Sequence, residues 1–150
     1  MSRKPILRHA PQFHMLTATT TRRKHSLIQI IDEPLVWARP DKGVWFEVPV
    51  GFVFDGASVP NLLYPVLAAT PLDLIIPGAC HDYLYRKDAR VIEVPSGKLR
   101  SVERDEADAV LKDVCKYVGV DKSDCDKIFF GVRTGGWTSF RKKRVAWRPR

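Results

Sequence analysis

The chain has 150 residues, of which 45% are apolar and 28% charged, and its formal net charge is +8 at pH 7. This length suits one domain, and the apolar share is sufficient for a packed core, which excludes general disorder. No stretch has the ~18 consecutive apolar residues that a membrane-spanning helix needs. The first 25 residues lack the apolar centre of a secretory signal. We therefore expect a globular protein that folds in the cytoplasm.

The positive charge is concentrated at the two ends of the chain. Residues 1–31 and 141–150 each carry six basic side chains and no acid, which leaves residues 32–140 with a net charge of −4. Basic segments of this kind usually bind anionic surfaces such as nucleic acid, acidic lipid or an acidic protein, and the alternative is a solvated tail that aids solubility.

We interpret residues 1–25 and 137–150 as basic arms that flank one domain, residues 26–136. No helix-turn-helix, zinc-finger or RNA-recognition signature accompanies the arms, so we expect no sequence-specific nucleic-acid binding. The residues expected to contact an anionic partner are Arg22, Arg23, Lys24, Arg141, Lys142, Lys143, Arg144 and Trp147.

Short strands dominate the first part of the domain. Apolar and β-branched segments separated by Asp, Gly and Pro turns predict an antiparallel meander. The predicted strands are 26–31, 35–39, 44–48 and 52–54.

A small helical layer follows the strands. Residues 72–86 have the pattern of a helix interrupted at Pro77-Gly78, and residues 103–118 carry their apolar side chains on one face. A last helix is predicted over 123–133. Segments 90–94 and 99–102 flank a Pro-Ser-Gly-Lys turn and predict a β-hairpin inserted between the first two helices. The expected fold class is α+β.

Cysteine usage indicates a reducing environment. Cys80, Cys115 and Cys125 cannot all pair with one another, and none belongs to a C-x-x-C motif. This pattern predicts reduced, buried thiols, and it argues against a disulfide scaffold or a zinc site built on thiolates.

The segment His-Asp-Tyr-Leu-Tyr, which begins at His81, is the strongest candidate for chemistry. Helical spacing places His81, Asp82 and Tyr85 on one polar arc, which suits a proton-transfer site or a set of metal ligands. Asp108 lies on the inward flank of the helix at 103–118 and needs a polar partner, which His81 or Tyr85 would supply. The alternative is a buried polar cluster that only locks the two helices together.

A second candidate segment is the turn at Asp55-Gly56. Here a carboxylate and a backbone carbonyl can face one point, as calcium sites require. Ser58 follows as a helix cap rather than a nucleophile, because no nucleophile-elbow pattern surrounds it.

These segments resemble a family found in phages and prophages, domain of unknown function 1353. The resemblance covers about residues 44–135. It is carried by Gly-Phe-x-x-Asp-Gly-Ala-Ser-x-Pro from Gly51, by His-Asp-Tyr-Leu-Tyr from His81, and by Arg104 with Ala107-Asp108. It implies a small protein encoded by a tailed phage or a prophage, and it supplies no activity.

A local resemblance is to the His-Asp-x-x-Tyr helix of phospholipase A2. It implies His81 as a general base, Asp108 as the residue that orients it, and Tyr85 as a donor to Asp108. It further implies Asp82 as a calcium ligand, with Asp55 and Gly56 in place of the glycine-rich calcium loop of those enzymes. The phospholipases carry cysteines on either side of this motif. In the present sequence only one of those cysteines is matched, by Cys80.

Three functions follow from these patterns. The first is a virion-associated component of a tail, neck or baseplate, held by its basic arms to other phage virion proteins or to a non-specific anionic surface. Such a protein would be made in the host cytoplasm and then enter the virion. The alternative is a phospholipase A2-like hydrolase of an ester or phosphoester, either assisted by calcium or metal-free. The third is an inhibitor of a host protein.

Overall fold

The computed structural model describes the residues 28–39, 42–54, 67, 73–135 and 140–142 with their side chains, and the backbone of 6–7, 13–20 and 23–27. In chain order, the elements are β1 (Ile6–Leu7), β2 (Phe13–Thr20), β3 (Arg23–Ile30), β4 (Leu35–Arg39), β5 (Val44–Val48), β6 (Val53–Phe54), α1 (Ile75–Leu84), β7 (Val91–Glu93), β8 (Leu99–Arg100), α2 (Arg104–Tyr117) and α3 (Lys122–Gly135).

The described strands form two antiparallel sheets. One has five strands in the order β1-β4-β5-β7-β8, and the other has three in the order β2-β3-β6. β4 and β5 pair as a hairpin from Leu35 opposite Val48 to Arg39 opposite Val44. The predicted hairpin β7–β8 is also present, and β7 pairs with β5, which attaches the hairpin to the larger sheet. Antiparallel strands followed by three helices in the described part of the chain confirm the α+β class.

The core lies between the sheets and the helices. Its largest buried side chains are the aromatic rings of Trp37, Phe46, Phe52 and Phe54, which pack with residues of α1 and α2. A second apolar cluster joins α2 to α3 and includes Leu111, Cys115, Cys125 and Ile128. All three cysteines are free and buried, as the sequence predicts.

Helix α1 is continuous where a break was expected. Pro77 lies in the first turn of α1, where backbone N–H groups have no acceptor within the helix. Because proline has no backbone N–H, no helical hydrogen bond is lost at this position. The N–H of Gly78 donates to the carbonyl of Leu74 at 2.8 Å. The predicted interruption at Pro77-Gly78 is therefore wrong.

The strands also divide differently from a single meander. β3 pairs with β6 and not with β4, because Ile30 exchanges backbone hydrogen bonds with Gly51 and Phe52. Strands β1 and β2 lie within the segment interpreted as the N-terminal arm. The division into arm, domain and arm stays a prediction.

Candidate acid–base site

The carboxylate of Asp108 is the centre of a buried polar cluster. Its Oδ1 lies 2.9 Å from Nε2 of His81 and accepts a hydrogen bond from the hydroxyl of Tyr85 at 2.6 Å. Its Oδ2 accepts a hydrogen bond from Nη1 of Arg133 at 2.8 Å, and Nε of Arg104 lies 3.7 Å from the same oxygen. Asp108 thereby links all three helices.

Helical geometry explains why these groups meet. His81 lies in the last turn of α1 and Tyr85 is the capping residue just after its end, four positions later, and their ring centroids are separated by 4.1 Å. Asp108 lies on the buried face of α2, beside Ala107 and Leu111. Since α1 packs against α2, a carboxylate on that face meets the ring of His81 and that of Tyr85 at the C-terminal end of α1.

The environment of Asp108 keeps its carboxyl group ionised. Burial raises its pKa, but the hydrogen bonds from His81, Tyr85 and Arg133 outweigh burial and leave the pKa below its ordinary value. An ionised carboxylate only accepts hydrogen bonds, so His81 must donate through Nε2. In a neutral imidazole, Nδ1 then carries the lone pair.

The hydroxyl of Tyr85 is held as a donor. Burial raises its pKa, and the hydrogen bond to the carboxylate of Asp108 raises it further. The phenol therefore stays protonated at neutral pH, and it supplies one of the two hydrogen bonds to Oδ1.

Two arginines of this cluster were not predicted. Arg133 also pairs with the exposed Asp105 at 3.0 Å, and the guanidinium of Arg104 donates to the carbonyls of Val132 and Arg133 at the end of α3. Arg104 is four residues before Asp108, a spacing that indicates an ion pair on a helix. Arg133 is 25 residues away on another helix, and no local pattern connects it to Asp108.

Asp82 does not join the Asp108 cluster. Its Oδ2 accepts a hydrogen bond from Arg86, four residues later on the chain, at 3.0 Å. The predicted polar arc is therefore divided between two sets of contacts. His81 and Tyr85 contact Asp108, whereas Asp82 pairs with Arg86.

The proposed calcium site cannot be followed beyond Asp82, because Asp55 and Gly56 lie outside the described residues. Within the part of the chain that the structure describes, no group of three or more His, Cys, Asp or Glu side chains is arranged to hold a metal ion. The assignment of calcium ligands stays a prediction.

The cluster is nearly inaccessible to solvent in this conformation. The exposed fraction is 1% for His81, 0% for Asp108 and 5% for Tyr85. A reactant reaches the imidazole only after neighbouring residues move. The geometry thus serves both interpretations made from the sequence, an acid–base site and a structural cluster.

The predicted anionic contacts are only partly described. The structure describes Arg141 and Lys142 with their side chains, and it describes only the backbone of Arg23 and Lys24, in β3. The other four lie outside the described residues: Arg22, Lys143, Arg144 and Trp147. Arg141 donates to the carbonyl of Val102 at 2.7 Å, so it contacts the body of the protein. Binding of an anionic partner and inhibition of a host protein stay predictions.

Comparison with known proteins places this arrangement in a family. Residues 30–132 match the family described as "Protein of unknown function (DUF1353)", a span that includes all three described helices apart from the last three residues of α3. The chain belongs to the DUF1353 family. No curated protein and no solved structure matches it. In this DUF1353 protein, none of the described helices has the length and apolar content needed to cross a membrane.

Proposed function

We propose that this DUF1353 protein is a hydrolase of esters or phosphoesters in which His81 is the general base. The observation that carries the proposal is the hydrogen bond between Nε2 of His81 and Oδ1 of Asp108. It fixes the tautomer of the ring and makes Nδ1 the nitrogen that accepts a proton. The contacts from His81 and Tyr85 to Asp108 are also those that the phospholipase A2 resemblance implies.

The reaction needs one water molecule. Nδ1 of His81 takes a proton from the water, and the hydroxide attacks the carbonyl carbon or phosphorus of the substrate. The bond to the leaving oxygen then breaks, and the imidazolium returns the proton to that oxygen. Asp108 stabilises the imidazolium while the proton is held, and Arg104 and Arg133 keep Asp108 ionised throughout.

The test is turnover of p-nitrophenyl esters and of bis-p-nitrophenyl phosphate, each with and without calcium. The variants His81→Asn and Asp108→Asn are compared with the control Asp105→Asn. Asp105 lies on α2, like Asp108, and it contacts Arg133 but not His81. We expect kcat/KM to fall by about 10²-fold or more for both site variants, the usual effect of losing a general base, with Asp105→Asn unchanged. Folding of each variant is checked by its melting temperature.

Two results would contradict the proposal. One is the absence of turnover on every substrate by the wild-type protein and also by variants in which His81 is more accessible. The other is a loss of activity in His81→Asn that is fully explained by unfolding, which would identify the cluster as structural.

A second candidate function is a non-catalytic component of a phage virion. The nearly complete burial of His81 and Asp108 favours it, because buried polar clusters commonly serve packing alone. It also rests on the phage origin that the family resemblance implies and on the basic ends of the chain. Mass spectrometry of purified particles should then detect the protein at a fixed copy number. Detection in the infected-cell lysate alone would exclude this function.

A further inference from the structure

A short segment after α3 returns to the end of α1 that carries the site. The backbone N–H of Arg141 donates to the carbonyl of Tyr85 at 2.7 Å. Phe140 places its ring against that of Tyr85 in an edge-to-face contact, with 5.2 Å between the centroids. Phe140, Tyr85 and His81 thereby form a continuous row of three rings.

The same segment also contacts the start of α2. The guanidinium of Arg141 donates to the carbonyl of Val102 at 2.7 Å and lies 3.3 Å from a carboxylate oxygen of Glu103. Arg141 therefore joins the C-terminal end of α1, at Tyr85, to the start of the helix that carries Asp108. It holds these two helix ends together from outside the cluster.

The backbone of Arg141 has a conformation that an unrestrained arginine rarely adopts. Its φ is +60°, in the left-handed region that favours glycine. Residues remain in such conformations where surrounding contacts hold them. Loss of those contacts therefore lets the segment relax away from α1.

From these contacts we propose that Phe140 and Arg141 form an autoinhibitory latch over the site. In the latched state the ring of Phe140 covers Tyr85, and His81 stays buried. Release of the segment uncovers Tyr85 first and then the adjoining imidazole. The regulatory meaning of the latch rests on the function proposed above, but the latch itself is testable without any substrate.

The experiment measures how fast diethyl pyrocarbonate modifies His81 in the full chain. Peptide mass spectrometry gives this rate relative to those of His9, His14 and His25, which serve as references within the same molecule. The variants are Phe140→Ala and Arg141→Ala, and Lys142→Ala is the matched control, because its side chain is adjacent and exposed. Amide hydrogen exchange of residues 104–117 reports whether α2 stays folded.

We expect modification of His81 to be about five- to tenfold faster in Phe140→Ala and Arg141→Ala. Loss of one favourable contact raises the equilibrium constant for local opening by about this factor, and the modification rate follows it. Lys142→Ala should match the wild type, and exchange in α2 should not change. Unchanged modification in both latch variants would overturn the proposal. So would faster modification accompanied by an equal acceleration of exchange in α2, because that is global unfolding. Faster modification without any turnover would support the latch and contradict the hydrolase.

Discussion

Nε2 of His81 lies 2.9 Å from Oδ1 of Asp108, although the two residues are 27 positions apart and belong to different helices. The contact is part of a closed arrangement in which His81 of α1 and Tyr85, the residue after α1, supply two donors, α3 supplies Arg133, and Arg104 lies on α2 itself. A buried carboxylate is costly unless donors surround it, so its presence constrains the packing of all three helices. The same contact determines which imidazole nitrogen is left to accept a proton.

The first prediction concerns the stability that Asp108 contributes. Asp108→Asn removes the negative charge from a fully buried site and leaves Arg133 without its buried partner, so we expect the free energy of unfolding to fall by about 3 kcal/mol. Urea denaturation measures it. Asp105→Asn, at an exposed position, should change it by less than about 0.5 kcal/mol. Equal effects of the two substitutions on the free energy of unfolding would contradict the assignment of Asp108 as the centre of the buried cluster.

A second prediction is the acid dependence of stability. The pKa of Asp108 is lowered in the folded protein, whereas in the unfolded chain it is about 3.9. The stabilisation from Asp108 is therefore fully present above about pH 5 and is lost as the pH falls through the lower, folded pKa. Melting temperatures between pH 2 and pH 6 should decline toward acid more steeply in the wild type than in Asp108→Asn. Parallel profiles would show that Asp108 does not titrate as described.

The third prediction is that the thiols are unreactive in the folded state. Burial raises the pKa of Cys80 and raises that of Cys115 to about 12, where the neighbouring Cys125 adds to the effect. Because the thiolate is the reactive form, none of the three cysteines should react with Ellman's reagent at pH 8 within minutes. All three should react in guanidinium chloride. Rapid reaction of one thiol without denaturant would mean that its helix is open to solvent.

A fourth prediction compares two glycines with positive φ. Gly43 has φ +65°, and a Cβ at this position would lie 3.1 Å from the carbonyl oxygen of Val94, whereas Gly97 has φ +73° and open space around it. Gly97→Ala should cost about 1 kcal/mol of stability from the left-handed backbone alone. Gly43→Ala should cost more, because the carbonyl of Val94 must also move. Thermal denaturation of both variants gives the comparison, and a larger loss in Gly97→Ala would be inconsistent with this packing.

Local patterns predict much of the fold and part of the site. The single apolar face of α2 predicts that helix and the inward position of Asp108, and the spacing of His81 and Tyr85 predicts their contact with it. The β7–β8 hairpin follows from its turn residues. Each of these features depends on residues that are close in sequence, or on the need of a buried carboxylate for a partner.

Features set by tertiary contacts were not predictable in this way. The pairing of β3 with β6 depends on hydrogen bonds between Ile30 and residues about twenty positions later. Arg133 reaches Asp108 only because α3 packs against α2. Pro77 is harmless because α1 begins at Ile75, and helix boundaries are poorly determined by sequence patterns.

The general-base role of His81 is tested most directly by the tautomer of its ring, measured by ¹⁵N NMR of imidazole-labelled protein at a pH where the ring is neutral. If Asp108 accepts a hydrogen bond from the ring, the proton resides on Nε2, and Nδ1 shows the chemical shift of an unprotonated nitrogen. In Asp108→Asn this preference should weaken. A proton on Nδ1 in the wild-type protein would contradict both the assigned hydrogen bond and the general base proposed from it.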